Sequence, residues 1–316
     1  MTVTTPETRA PIVAKQRAGD IWFSRTAVAA ASMIMITLAA VAIFLVVQSV
    51  PAFTAGAEDA SLLQTGFWAY VGPLLFGTLW AALLALIIAV PLSLGVALFI
   101  THYAPRRLAQ GIGYIVDLLA AVPSVVYGLW GIFLLAPAVQ PVYAWLNENL
   151  GWIPFFGGIV SPTGRTILTA AIVLAVMVVP IITAICREIF LQTPRLHEEA
   201  ALALGATRWE MIRMAVLPFG RSGIVSGSML GLGRALGETM AVAMVLSVSK
   251  AVTVELLTST NPSTIAANIA LTFAEAYKTN INVLIATGLI LFVVTFAVNA
   301  IARWFVNRRK EFSGAN

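Results

Sequence analysis

Long apolar stretches alternate with short basic ones along this chain. Residues 26–57 and 60–105 carry no Asp, Glu, Lys or Arg. A helix of about 20 predominantly apolar residues spans the hydrocarbon of a bilayer. The pattern therefore predicts six membrane helices, at 27–48, 72–100, 110–136, 166–186, 222–249 and 279–302. Pro51 ends the first, and Pro123 interrupts the third with an expected kink. The runs are too long and too continuous for barrel strands of roughly 10 alternating residues. The expected fold class is an all-α integral membrane protein.

Composition narrows the class. Of 316 residues, 59% are hydrophobic and 10% charged, against about 25% charged in an ordinary soluble domain. That excludes a water-soluble enzyme, a disordered chain and a nucleic-acid-binding domain. Basic residues cluster in the N-terminal tail (Arg9, Lys15, Arg17, Arg25), at Arg106 and Arg107, and between the fourth and fifth helices (Arg187, Arg195, Arg208, Arg213, Arg221). They recur at the C-terminus (Arg303, Arg308, Arg309, Lys310), making fifteen of the 19 Lys and Arg. Cytoplasmic loops carry the excess of Lys and Arg, so both termini are expected in the cytoplasm. The pI near 9.7 is thus an orientation signal, with anionic lipid contact as its companion reading and no nucleic acid implied. The predicted division is a tail at 1–25, a first helix at 26–50 retained as an anchor, a main transmembrane domain at 72–305 and a tail at 306–316.

Catalytic chemistry finds little support. Cys186 is the single cysteine, and His102 and His197 have no partners at metal-ligand spacing. No GxxxxGK[ST] loop occurs, nor any Ser/His/Asp constellation. No catalytic residue, metal site or cofactor is assigned to this chain. Residues 231–237, GLGRALG, lie in an apolar helix with no strand before them and read as packing. The outer segment 137–164 is rich in Pro, Gly and Trp and reads as an interfacial loop or a docking surface. After the breaker Asn261-Pro262, residues 263–277 have helical spacing.

The inner segment 193–218 is more informative. Thr193-Pro194 reads as a helix start, Gly205 as a left-handed stop, and Thr207 to Glu210 as a capping box. A second short helix should end at Pro218. Two readings stay open on these grounds, an interfacial helix pair on lipid or an element that docks a partner. The run Glu199-Ala200-Ala201, then Gly205, then Ala215-Val216-Leu217-Pro218 resembles the EAA motif of bacterial ABC-importer permeases. Ala215 stands where that family usually has isoleucine. The resemblance implies a coupling helix in which Glu199, Ala200, Ala201, Gly205, Ala206, Thr207, Arg208 and Trp209 meet a separate ATPase subunit.

The fifth predicted helix carries Gly223, Gly227 and Gly231 at four-residue spacing, with Gly233 and Gly237 as another pair. Such small residues let helices approach closely in lipid, within this chain or against a second subunit. Arg234 and Glu238 lie near the middle of the same segment. In a continuous helix the i, i+4 spacing puts both on one face. Charges at that depth persist when they pair or line a wet pathway, so a structural ion pair and an anion path are both open. Guanidinium geometry suits tetrahedral oxyanions. Asp117 is a third expected intramembrane charge and, with Arg234 and Glu238, a candidate for the substrate pathway. It could accept a hydrogen bond, pair with a basic residue of another helix or be hydrated from the cytoplasm.

Residues 233–242, GRALGETMAV, and 121–128, AVPSVVYG, resemble signatures of phosphate-specific ABC-importer permeases. What that resemblance implies is ATP-driven phosphate import across the bacterial plasma (inner) membrane. It implies a second homologous permease subunit, an ATPase dimer carrying ATP and Mg, and a phosphate-binding protein. A sulfate or molybdate permease is the nearest alternative, and an ATP-independent secondary transporter a more distant one.

Overall fold

The structure, a computed structural model, describes residues 18–56, 58, 60–249 and 251–310, without the side chains of 18, 248 and 305–310. Arg9, Lys15 and Arg17, which entered the topology reading, lie outside the described residues, as does the tail from 311. The chain divides at Val47 into two compact units. In the first, helix α1 (Ala18–Thr54) begins. It is apolar on every side, and no residue of its most hydrophobic window is buried, as suits a helix whose solvent is lipid.

In the second unit α2 (Phe67–Leu98) runs on through a π turn at Phe99–Tyr103. Its buried face is a stripe of small residues, Ala81, Ala85, Ala89, Ser93 and Ala97, at four-residue spacing. These let α6 (Ile167–Leu191) approach closely, and Ser93 Oγ donates to the Val179 carbonyl at 3.2 Å. Helix α6 is the centre of the unit, with two-thirds of its apolar window buried. Helix α9 (Leu217–Gly237) packs against both α6 and α2. Gly220, Gly223, Gly227 and Gly231 face Phe190, Ile189, Ile185 and Ile182 in turn, so α9 is antiparallel to α6. A Cβ on Gly231 would sit 2.8 Å from Ile182 Cδ1. The glycine spacing read in the sequence is therefore a packing seam within this chain for these residues. Gly233 and Gly237 meet nothing within 4 Å and take no part in it.

Among the described residues, five helices are long and apolar enough to cross a membrane: Gly19–Thr54, Phe67–Tyr103, Ser124–Leu150, Ile167–Leu191 and Thr279–Trp304. Two of the six predicted spans are altered. The third is not a kinked helix over 110–136. Helix α3 (Arg106–Ala120) ends, and α4 (Ser124–Trp130) begins after Pro123. It continues through a π turn at Gly131–Leu135 into α5 (Ala136–Leu150). The apolar span thus starts at Ser124, and much of the expected outer loop 137–164 is helix. Pro123 lacks the N–H a continuous helix needs and disfavours helical backbone in the residue before it.

The fifth predicted span, 222–249, is also divided. Helix α9 stops at Gly237, Glu238 is extended (φ −68°, ψ 127°), and α10 occupies Met240–Val245. Pro218 does not close the preceding helix. α8 (Arg208–Met211) passes through a π turn at Ile212–Val216 straight into α9. Proline sits there in the first turn of α9, and the wider π turn relieves the missing hydrogen bond. Beyond α10, Val248–Ser249 pairs in parallel with Asn261–Pro262. Helix α11 (Ile265–Thr272) follows, and α12 (Thr279–Lys310) closes the chain. Asn280 at its start donates to Ser61 Oγ at 3.0 Å, just ahead of α2. The far end of α2 meets α7 (Arg195–Ala203) through His102 and Glu198, 3.5 Å apart. Helix α12 therefore runs parallel to α2 and antiparallel to α9, ending on the α7 side.

Candidate functional site

The two broken spans meet. At the first break the Tyr127 hydroxyl donates to the Leu119 carbonyl at 2.8 Å, joining the Val122 N–H, which reaches the same oxygen at 3.3 Å, where Pro123 has no N–H to give. One residue on, Gly128 allows α10 against α4. A Cβ there would lie 3.0 Å from both Ala241 Cα and Met244 Sδ. Gly131 does the same between Val173 and Val245, each 2.7 Å from an added Cβ. A Cβ at Gly131 would force its two valine neighbours to shift, and one at Gly128 would press on the backbone of α10.

The second break is held from both ends. Glu238 is 8% exposed, and its Oε1 accepts the Ala241 N–H at 3.1 Å. At the other end of α10, Arg165 Nη2 donates to the Met244 and Leu246 carbonyls at 3.1 and 3.3 Å. Arg165 is itself fixed by its neighbours. Gly164 (φ +68°) packs on the backbone of Ala136, and the Thr166 hydroxyl caps α6. The six-residue α10 is thus a separate piece clamped between an acid and a base.

This corrects the expected ion pair. Leaving the helix at Gly237 takes Glu238 off the face that carries Arg234, and the carboxylate is spent on a backbone N–H. Among the described residues no ion pair joins the two, and the half-buried Arg234 makes no side-chain hydrogen bond. Its guanidinium lies within electrostatic reach of the Tyr127 hydroxyl. It lines a groove of about 1070 Å³ between α9, α12 and one residue of α6.

Asp117 is placed elsewhere. It lies on amphipathic α3, outside the five apolar spans, exposed and 3.6 Å from Arg187 Nη2. Gly113 leaves room for that guanidinium, since an added Cβ would touch Arg187 Nη1 at 2.5 Å. The pair ties α3 to α6 and does not line the Arg234 groove.

In the inner segment Pro194, not Thr193, precedes α7, and Thr193 Oγ1 is buried without a partner. Gly205 has φ +84° with nothing nearby, a turn that an L side chain would strain. The capping box is complete, with Glu210 Oε2 accepting from the Thr207 N–H and hydroxyl, both at 2.8 Å. Those bonds hold the Glu210 carboxyl below its ordinary value. Glu199, Ala200, Gly205, Thr207, Arg208 and Trp209 are exposed, Ala206 is half-buried, and Leu204 is 90% exposed. Ala201 faces inward, at 9% exposure, and supports the turn rather than the surface.

Sequence reasoning passed over several of these residues. Arg165 carries no local signal, because its acceptors lie 79 and 81 residues away. Tyr127 and Gly128 were visible within residues 121–128, but their roles depend on α10.

A profile of the family described as "Binding-protein-dependent transport system inner membrane component" matches residues 89–311. The chain is 47% identical to the phosphate transport system permease protein PstC 2 of Mycobacterium tuberculosis, covering 95% of this chain and 97% of that protein. The chain belongs to this permease family, in its PstC branch. PstC of Mesorhizobium japonicum is 40% identical over 94% of this chain and 92% of its own length. PstC of Xylella fastidiosa (strain Temecula1) is 47% identical over 75% of this chain and 74% of its own.

Solved structures share the permease fold at low identity. A bacterial ABC transporter involved in import of the acidic polysaccharide alginate aligns with a TM-score of 0.61 at 16% identity. That alignment covers 91% of this chain and 98% of that one. The inward-facing MetNI methionine ABC transporter aligns at 0.51 and 18% identity over 80% and 99%. The paired helix breaks, the Arg234 groove and the exposed turn at Gly205 thus belong to a multi-pass permease.

Proposed function

We propose that this chain is the transmembrane permease subunit of an ATP-driven inorganic phosphate importer and forms half of its translocation pathway. The observation that carries the reading is Arg234, a half-buried guanidinium without a hydrogen-bonded or ionic partner among the described residues, facing a groove. A half-buried cation left without a counterion is costly, and a passing oxyanion supplies the missing charge. Relatives named as phosphate transport permeases support phosphate as that anion.

Six crossings fit this role if α9 and α10 together make one divided span, with both termini on the cytoplasmic side of the bacterial plasma (inner) membrane. The exposed α7–Gly205–α8 turn, with Glu199, Arg208 and Trp209, is the surface for a PstB-like ATPase dimer, which supplies ATP and Mg. A PstA-like permease completes the pathway, and a PstS-like protein delivers phosphate from outside. The chain itself holds no cofactor and hydrolyses no ATP. Domain closure in the ATPase moves the α8–α9 helix as one rod, and the clamped α10 shifts with it. Glu238 then acts at the pathway by fixing the break that leaves Arg234 unpaired.

The test is phosphate uptake into proteoliposomes by the assembled transporter. Arg234→Gln reduces uptake to background while the ATPase and the second permease still co-purify. Normal uptake by that variant removes Arg234 from the path. Efficient competition by sulfate or molybdate moves the substrate to another oxyanion.

A further inference from the structure

The groove that Arg234 lines contains a second cation and a carboxamide. Asn299 and Arg303 lie one helical turn apart on α12, and both face the groove. Phe296 precedes them on the same stripe. Among the described residues neither side chain makes a hydrogen bond or an ion pair. Asn299 is half-buried within the apolar span Thr279–Trp304, where an unsatisfied amide is unfavourable unless a polar partner arrives. On the α9 wall Ser226 and Arg234 stand two turns apart. Gly233, with nothing within 4 Å of an added Cβ, leaves the approach to the guanidinium open.

The helices are antiparallel, so the direction from Arg234 to Ser226 along α9 is also that from Phe296 to Arg303 along α12. Arg303 lies about 10 Å beyond Phe296, from a rise of 1.5 Å per residue, toward the α7 side. The groove is far larger than a phosphate ion. It accommodates an anion that keeps part of its hydration while passing from one cation to the next.

We propose that Arg303, with Asn299, is a second and inner station for the oxyanion released from Arg234. This rests on the importer reading above and adds a residue to it. Guanidinium binds two oxygens of a tetrahedral anion at once, and the neighbouring carboxamide donates to a third oxygen. A station past the point of loading governs release and leaves capture from outside untouched. The chemistry it recognises is a phosphate-type oxyanion, free or as a lipid headgroup, and the two sources are separable.

The experiment uses the complete transporter in proteoliposomes. Arg303→Gln lowers the maximal uptake rate about tenfold, the loss expected for one charge-assisted contact, with unchanged half-saturation by external phosphate. Arg303→Lys keeps most of the rate. Arg303→Cys is as slow as the glutamine variant. It recovers after labelling with a cationic thiol reagent and not with an anionic one, Cys186 being buried. Wild-type uptake by Arg303→Gln, or equal recovery with both reagents, overturns the station. A deficit present only in vesicles containing phosphatidylglycerol, and absent in purely zwitterionic ones, assigns Arg303 to a lipid headgroup and overturns it too. Normal uptake by Arg234→Gln instead defeats the importer pathway itself, whatever Arg303 does.

Discussion

The chain stops and restarts a helix at two places with similar letters, Gly205 with Thr207 and Glu210, and Gly237 with Glu238 and Thr239. At the first, Gly205 takes a left-handed turn in the open (φ +84°). The restart is closed by its own neighbours, as Thr207 and Glu210 satisfy each other's backbone three residues apart. At the second, Gly237 is not left-handed and the backbone turns at a buried, extended Glu238. There the short helix that follows is held by Glu238 at one end and by Arg165, from before α6, at the other. The first break is autonomous and exposed, which suits a surface that meets a partner. The second depends on distant elements, which suits a device that transmits their motion.

Removing the clamp should have the largest effect. Arg165→Ala leaves two carbonyls of α10 without their charged donor and should cost about 3 kcal/mol of stability, read as a lower melting temperature in detergent. Phosphate uptake should fall with it. If uptake and melting are both unchanged, α10 is not clamped and the contrast between the breaks disappears.

Glu238 sharpens the same point. Glu238→Ala orphans the buried Ala241 N–H and should cost about 1–3 kcal/mol. Glu238→Gln keeps the acceptor and should retain most of the stability. Were the carboxylate instead the counterion of Arg234, the glutamine variant would be as damaged as the alanine one.

At the exposed break the effects should be smaller. Gly205→Ala meets open space but must hold a left-handed backbone, at about 1 kcal/mol. Its main readout is weaker co-purification of the ATPase subunit. Gly205→Asn, which tolerates that conformation better, should fall between alanine and wild type.

The smallest effect is a pH dependence. The Glu210 carboxyl is held below its ordinary value by the Thr207 bonds. The contribution of the capping box is therefore present above the unfolded carboxylate range and fades as pH falls through the depressed folded value. Protection of the Thr207 amide, its exchange measured against the intrinsic rate at the same pH, should fall on acidification in the wild type. That loss of protection should be absent in Glu210→Gln.

The helical class, the apolar spans, the glycine seam and the inner turn were legible because each rests on composition or on residues within one or two helical turns. The ends of the third and fifth predicted helices were not. Pro123 announces a disturbance, but a kink becomes a break when Tyr127 reaches back to Leu119 and Gly128 admits α10. Nothing near Gly237 marks a stop, for Arg234 and Glu238 have ideal spacing for a helical pair. The break wins because Arg165 and the α4 surface reward a separate α10. Asp117 was expected inside the bilayer, yet α3 lies outside the five long apolar spans. Its pairing with a basic residue of another helix held, and packing chose Arg187 as that residue.

By itself the sequence determined that this chain lives in a membrane, that four of its segments are apolar enough to cross it, and where a local capping box turns the inner loop. Those follow from transfer free energy and from hydrogen bonds between near neighbours. Tertiary structure alone decided that two spans are broken, that the breaks face each other, and that among the described residues Arg234 is left unpaired while Glu238 turns to a backbone N–H. Those outcomes depend on groups tens of residues apart competing for the same backbone donors and acceptors. No local pattern records who wins.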